Sequence, residues 1–259
     1  MAARRAKRII NEIKELETSA DVLKQNGIYI HYSEDNINMI YALLIGPKDT
    51  PYENGYYFFK FEYPENYPMT PPKATYCTQG ILKHPLSEGS YKVRFNPNLY
   101  TCGKVCLSML NTWAGPGWVP TNTISNVLIA IQALVLNDFP LQNEPGFESK
   151  SKEELSKYNE IIAYANIKIS VIEMITHTPA EFIFFKDIIV KYFMENIDYY
   201  RNNILTKNDQ LRDSLVESPA YGMKFKMDYP KLLDKISVVE EYIINNIFAK
   251  SVDELSVNK

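Results

Sequence analysis

The sequence predicts an α+β fold with a helical C-terminal extension. Three observations predict it. Apolar residues recur at helical spacing over residues 3–18. Between residues 27 and 76 they fall into short β-branched and aromatic runs separated by turn residues. From about residue 121 the helical period returns in several segments to the end of the chain.

In the first segment Ile9, Ile13 and Leu16 share one helical face, and Arg4, Arg5, Lys7 and Arg8 cluster at its start. The plainest reading of those bases is a solvated face; the alternative is a docking surface for an acidic partner. The runs "GIYIHY", "INMIYALLIG", "GYYFFKFEY" and "KATYC" then predict a four-stranded antiparallel meander. Asn54-Gly55 is a turn signal within it. "YPMTPP" carries too many prolines for a central strand and predicts a rigid exposed loop. From Gly80 to Pro120 no period persists, and an irregular stretch of that length in a compact domain is usually functional.

Thr121 or Asn122 is expected to cap the next helix, with Ile124, Val127, Leu128, Ile131, Leu134 and Val135 on its apolar face. Pro140 follows its end. Ser151 and Glu154 form a capping box for another helix, which continues through Tyr158, Ile161, Ile162, Ala165 and Ile169. Thr178-Pro179 starts a third, bearing Phe182, Phe185, Ile189 and Phe193. A last helix is expected over about 231–249, with Leu232, Leu233, Ile236, Val239, Ile243 and Ile247 inward. There is no internal repeat.

Composition narrows the function classes. The chain has 259 residues, 46% hydrophobic and 23% charged, enough to bury a core without disulfides or metals. A formal net charge of -3 leaves no basic footprint for nucleic acid. No run approaches the ~18 apolar residues of a membrane span. The start "MAARRAKRII" is not followed by an apolar stretch, and Glu12, Glu15 and Glu17 argue against a mitochondrial presequence. Three cysteines, an odd number, point to a reducing cytoplasmic or nuclear setting.

Two of those cysteines lie in "RFNPNLYTCGKVCLSML". A zinc site needs four ligands in recognisable pairs, and Cys102 and Cys106 have three residues between them while Cys77 stands alone; the pattern argues against a metal. A Cys/His hydrolase needs a histidine and an orienter; no motif supports His84 or His177. The bland reading of a cysteine is a small buried hydrophobe, which fits Cys77 at a strand end. It fits Cys106 less well, in a Gly/Pro/Asn-rich segment with the neutral amide of Asn98 eight residues upstream. An amide can hydrogen-bond an oxyanion without competing as a base. A thiol with an amide donor and no histidine base suits exchange of an already activated acyl group.

From about residue 3 to 148 the chain resembles the ubiquitin-conjugating enzymes. "AKRIINEIKEL" is similar to their first helix. "ALLIGPKDTPYENGYYFFKFEYPENYPMTPPK" is similar to their sheet and Tyr-Pro-x-x-Pro-Pro loop, "NPN…GKVCLSML" to their active-site signature, and "WVPTNTISNVLIAIQAL" to the loop and helix that follow. The Asn-Pro-Asn triplet, the enlarged "NTWAGPGW" loop, "NEPGFE" and the helical tail resemble a divergent, Use1-type branch. The resemblance implies a catalytic core over 3–150 and a helical extension over 151–259, packed on the core or on a partner. It implies that Cys106 carries ubiquitin or a ubiquitin-like protein as a thioester, received from an activating enzyme. The acyl group then passes to a substrate lysine or to the cysteine of a ligase. It implies Asn98 as oxyanion stabiliser, Asn96 and Pro97 as structural parts of the loop, with Asn96 where the family usually has histidine, and Glu144 as an acid that orients the incoming lysine, with Asp138 as the weaker choice. Ser108 stands where many relatives carry an acid. Lys7 and Arg8 match positions that meet the activating enzyme, and Met69 and Pro120 match the two loops that grip RING- or HECT-type ligases. No cofactor is expected, since ATP is consumed by the activating enzyme. The alternative is a non-catalytic ubiquitin-binding scaffold of the same fold.

Overall fold

In the computed structural model, which describes residues 2–33, 35–83, 90–211 and 214–257, helix α1 (Ala2–Thr18) buries Ile9, Ile13 and Leu16, as its period predicts. Its basic start is not simply solvated. Arg5 donates to the carbonyls of Tyr63 and Pro64 and to Asn38 Oδ1, and Arg8 donates to the Asn122 carbonyl at 2.8 Å. Glu12 is buried on the same helix and accepts from the Ile124 amide at 2.6 Å and from the Tyr67 hydroxyl. Burial pushes the Glu12 carboxyl up, and these donors with Arg8 pull it back. The helix is thus fastened by polar groups to two loops that the site uses.

A short α2 (Ala20–Gln25) leads into the predicted meander: β1 (Ile28–Ser33), β2 (Asn36–Ile45), β3 (Tyr56–Glu62) and β4 (Lys73–Tyr76), antiparallel and in that spatial order. At the β2–β3 turn Asn54 takes a left-handed conformation, φ 59°, and Gly55 is required by close approach. A Cβ there would lie 1.8 Å from Asn166 Oδ1. The Tyr-Pro loop is less exposed than its prolines suggest, because Pro72 is buried; Met69 is the residue that stands out, 71% exposed.

The stretch expected to be irregular contains β5 (Ile81–Lys83) and β6 (Ser90–Lys92), an antiparallel pair too short to carry a period. His84 lies outside the described residues. A 3₁₀ turn, Ser108–Leu110, precedes α3 (Ile124–Ala130). The cap of α3 is Thr123, not Thr121 or Asn122. Its backbone is extended, and its hydroxyl and Asn126 make a reciprocal capping box. Beyond α3 the chain widens into a π-helical stretch, Ile131–Val135, and this turns the expected inward Leu134 out to 60% exposure.

After a 3₁₀ turn at Pro140–Asn143, α4 (Lys152–Ala165) starts at the predicted Ser151–Glu154 box. It runs through a π-helical stretch, Asn166–Glu173, into α5 (Met174–Thr176). A 3₁₀ segment, Ala180–Phe185, then leads to α6 (Lys186–Glu195) and α7 (Ile197–Leu211). The antiparallel hairpin β7 (Leu215–Glu217) and β8 (Lys224–Lys226) follows, and α8 (Tyr229–Val257) ends the described chain. Neither α7 nor this hairpin is predicted from the sequence pattern; α7 buries only Tyr200 and Ile204, too few residues for a readable stripe.

The C-terminal elements cover one face of the sheet. Phe58 stacks on Phe182 at 4.7 Å, His31 on Phe184 at 3.7 Å, and Tyr41 meets Phe182 edge-on. The Tyr56 and Tyr200 hydroxyls are 3.1 Å apart, Tyr200 donates to the Asn54 carbonyl, and Tyr192 donates to Asn54 Oδ1. On the other face Tyr57 packs edge-on against Phe95 and donates to Asn166 Oδ1 at 2.6 Å. Hence Tyr56, Tyr57, Phe58 and Phe59 are all 0% exposed, although alternate strand residues point to opposite faces. Burying each such ring is worth about 2–3 kcal/mol.

Candidate active site

Two segments are zipped together at the Asn-Pro-Asn turn. Leu99 bridges to Val105 and Asn96 to Leu99. The Cys106 amide donates to the Asn98 carbonyl at 2.8 Å, and Asn98 Nδ2 donates back to the Cys106 carbonyl at 2.8 Å. Asn98 therefore fixes the backbone of the cysteine with one N–H of its amide. Thr112 supports the far side: its hydroxyl accepts from the Leu107 amide and donates to the Val105 carbonyl. The loop from Asn111 to Trp118 is closed by Asn111 Oδ1, which accepts the Trp118 amide. Gly115 lies so close to Ser108 that a Cβ would sit 3.1 Å from the serine Cβ. Cys106 itself is 1% exposed.

Asn96 is fully buried, and its side chain makes three hydrogen bonds. Nδ2 donates to the Val135 carbonyl at 2.6 Å and to Tyr52 Oη at 2.9 Å, and Oδ1 accepts the Asn98 amide at 2.8 Å. The side chain thus ties the turn to the π-helical end of the α3 segment and to the β2–β3 loop. Asn96→Ala strands a buried carbonyl and a buried amide, each worth about 1–3 kcal/mol. A loss of about 3 kcal/mol in unfolding free energy is expected in urea denaturation.

The remaining sulfurs separate clearly. Cys102 is exposed in the turn between Tyr100 and Gly103, and all three cysteines are free. Cys77 is partly buried, and burial pushes its thiol up to about 12, which suits an inert sulfur. His31 stacks on Phe184 at the covered sheet face, and His177 borders a cavity of about 650 Å³ that also exposes Cys77. Neither joins the Cys106 segment. Among the described residues no group of three or more His, Cys, Asp and Glu side chains converges to hold a metal.

Glu144 is half-buried just after the Pro140–Asn143 turn, whereas Asp138 is exposed. Glu144 accepts a hydrogen bond from the Tyr221 hydroxyl. The ring of Tyr221 lies 5.0 Å from the guanidinium of Arg94, which stacks on Tyr100 at 3.5 Å and donates to the Asn96 and Pro97 carbonyls. Arg94 and Tyr221 are absent from the sequence-based site. "SPAYGM" between two β-prone runs is a hairpin signal that places Tyr221 on a turn, but nothing local says where that turn docks.

The expected partner surfaces are distributed as follows. Lys7 is exposed on α1, while Arg8 is half-buried against Asn122, so of these two Lys7 is the one that extends into solvent. Met69 and Pro120 are both exposed, on loops joined by Trp118, whose Nε1 donates to the Pro68 carbonyl at 2.8 Å. Two apolar loop tips are thereby held beside one another.

A sequence profile for the family described as "Ubiquitin-conjugating enzyme" matches residues 8–166. The chain is 35% identical to "Ubiquitin-conjugating enzyme E2 Z" of Xenopus tropicalis over 228 residues, covering 88% of this chain and 69% of that protein. It is 34% identical to the Homo sapiens protein of the same description over 229 residues, spanning 61% of its length. It is also 35% identical over 202 residues to 4% of human "Dual E2 ubiquitin-conjugating enzyme/E3 ubiquitin-protein ligase BIRC6". The match to the frog protein is longer than the profile's segment, so the likeness extends into the C-terminal elements.

Proposed function

The chain belongs to the ubiquitin-conjugating enzyme family, and on that premise we propose that Cys106 is its acyl carrier. Family membership implies ubiquitin, an activating enzyme and a ligase as partners in general terms. In the specific reading, the Cys106 thiolate attacks the thioester on the activating enzyme and takes over the C-terminal glycine of ubiquitin or a ubiquitin-like protein. It then yields that acyl group to a lysine amine or a ligase cysteine. ATP is spent by the activating enzyme, and this chain needs no cofactor. The observation that carries the reading is the reciprocal pair between Cys106 and Asn98. It fixes the neutral Asn98 amide against the backbone of the cysteine, and among the described residues no histidine bonds to that segment.

In this reading Asn98 steadies the oxyanion, Asn96 and Pro97 hold the loop, and Glu144 receives the lysine proton. Lys7 serves the activating enzyme, with Arg8 holding the helix in place for it, and Met69 with Pro120 serves a RING- or HECT-type ligase as small apolar hot spots. In this reading the catalytic core is residues 3–150 and 151–259 is the helical extension, and the contacts of Phe182, Tyr192 and Tyr200 with the sheet support its packing on the core rather than on a partner. The Asn-Pro-Asn triplet and the tail support placement in the Use1-type branch. A thiol that must stay free suits the reducing cytoplasm or nucleus.

The 1% exposure of Cys106 favours the rival reading, a ubiquitin-binding scaffold without catalysis. Charging decides between them. The chain is incubated with ATP and a panel of activating enzymes and modifiers, then run on a non-reducing gel. A thiol-labile adduct that maps to Cys106, and survives in Cys102→Ala, is expected. An adduct on Cys102, or none with any member of the panel, overturns the proposal.

A further inference from the structure

The β7–β8 hairpin of the C-terminal extension reaches the active-site segment with one side chain. Tyr221 sits at its turn with φ 62°, followed by Gly222 at φ 60°. A left-handed conformation is unfavourable for an aromatic residue, so the contacts of the ring and hydroxyl must hold it there. The turn is closed by the Ser218 amide on the Met223 carbonyl at 2.8 Å and by the Ala220 amide on Ser218 Oγ at 3.1 Å. The ring meets Tyr158 edge-on at 6.2 Å and Arg94 at 5.0 Å. Tyr158 in turn donates to the Arg94 carbonyl at 2.7 Å. The hydroxyl donates to Glu144. Burial, and then the Glu144 carboxylate, push the Tyr221 hydroxyl up, so it remains a proton donor across the neutral range.

Tyr221 thus links Glu144 to the Asn-Pro-Asn turn. Through Arg94 it bears on the carbonyls of Asn96 and Pro97; directly it fixes Glu144. We propose that Tyr221 is a positioning residue for amine transfer, holding the Glu144 carboxylate where an incoming lysine passes its proton. The inference rests on Cys106 as carrier and Glu144 as proton acceptor. In the step it governs, the lysine ammonium gives one proton to Glu144, and its nitrogen then attacks the thioester carbonyl. The C–N bond forms, the C–S bond breaks with its electron pair going to Cys106 Sγ, and the second nitrogen proton goes to that thiolate. Glu144 returns its proton to solvent. A small thiol attacks as its thiolate, having given its proton to solvent, and Cys106 leaves as a thiolate that takes a proton from solvent, so that transfer does not need the carboxylate.

The test follows from that difference. Tyr221→Phe keeps the ring against Arg94 and Tyr158 and removes only the hydroxyl. The full-length variant is charged with ubiquitin and then discharged either to free lysine or to a small thiol. Lysine discharge is expected to fall about tenfold, the worth of one hydrogen bond to a charged group. Thiol discharge is expected to stay within about twofold. In a Glu144→Gln background the tyrosine substitution is expected to add no further loss, because its effect runs through the carboxylate. Unchanged lysine discharge, an equal loss with both acceptors, or losses that multiply in the double variant each overturn the proposal. Failure of the unsubstituted chain to charge would instead count against Cys106 as carrier.

Discussion

Cys106→Ala is expected to accept no ubiquitin, and Cys106→Ser to form an adduct that resists thiol and is cleaved by alkali. The argument is chemical. A thioester exchanges with a thiolate at nearly no cost, so transfer onto sulfur needs little activation. Serine at the same place forms an oxyester, slower to make because the hydroxyl is a weak nucleophile at its ordinary pKa. Alanine leaves no nucleophile at all. Loss of fold is not an adequate rival explanation, because the substitution removes one buried atom, Sγ. Such a change costs about 1 kcal/mol and a few degrees of melting temperature. The backbone bonds of Cys106 to Asn98 do not involve the side chain and remain. A thiol-labile adduct on the alanine variant would remove the carrier from position 106.

Asn98→Ala is expected to slow discharge to lysine by about 10²–10³-fold, the usual cost of losing one oxyanion donor. The Asn98 amide is already committed in part. One N–H of Nδ2 holds the Cys106 carbonyl, so the second N–H is the one left for a tetrahedral oxyanion. Two effects of the substitution can therefore be told apart. If Asn98 only braces the loop, charging, thiol discharge and lysine discharge fall together and the melting temperature drops. If its amide also faces the oxyanion, lysine discharge falls far more than charging, because amine attack has the higher barrier to lower. A lysine discharge rate within about tenfold of the unsubstituted chain would end the oxyanion role.

Much of the site was legible because its parts are close in sequence. Asn98, Cys106 and Asn96 lie within one turn and its return segment, so a short motif contains them, and the structure adds only which atom holds which. The helices that carry a regular apolar stripe were legible for the same reason: α1 and α4 follow their periods, and α4 starts at its predicted capping box. What escaped depends on distant partners. Tyr221 reaches Glu144 across 77 positions, and no local pattern encodes that docking. Arg94 carries no local signal either: its neighbours Tyr100 and Tyr221 make it a clamp only in the folded chain. One overlooked signal was present in β3. Four consecutive aromatic residues in an antiparallel strand announce that both faces are buried, and so that some other part of the chain must cover the second face. The π-helical turn that exposes Leu134 had no such signal, since a widened turn shifts phase without changing composition.

The covered sheet face also sets an order of events at birth. Tyr56 meets Tyr200 across 144 positions, and Phe58 waits for Phe182. At ordinary rates of translation the partner residues emerge from the ribosome on the order of ten seconds after the strands. During that interval an aromatic surface is bare on the nascent chain, with long-range contacts that cannot yet form. The segment that carries Phe182 and Tyr200 therefore serves as a built-in escort that arrives late, and its emergence, rather than synthesis of the strands, is the moment at which the second face of this sheet can be covered.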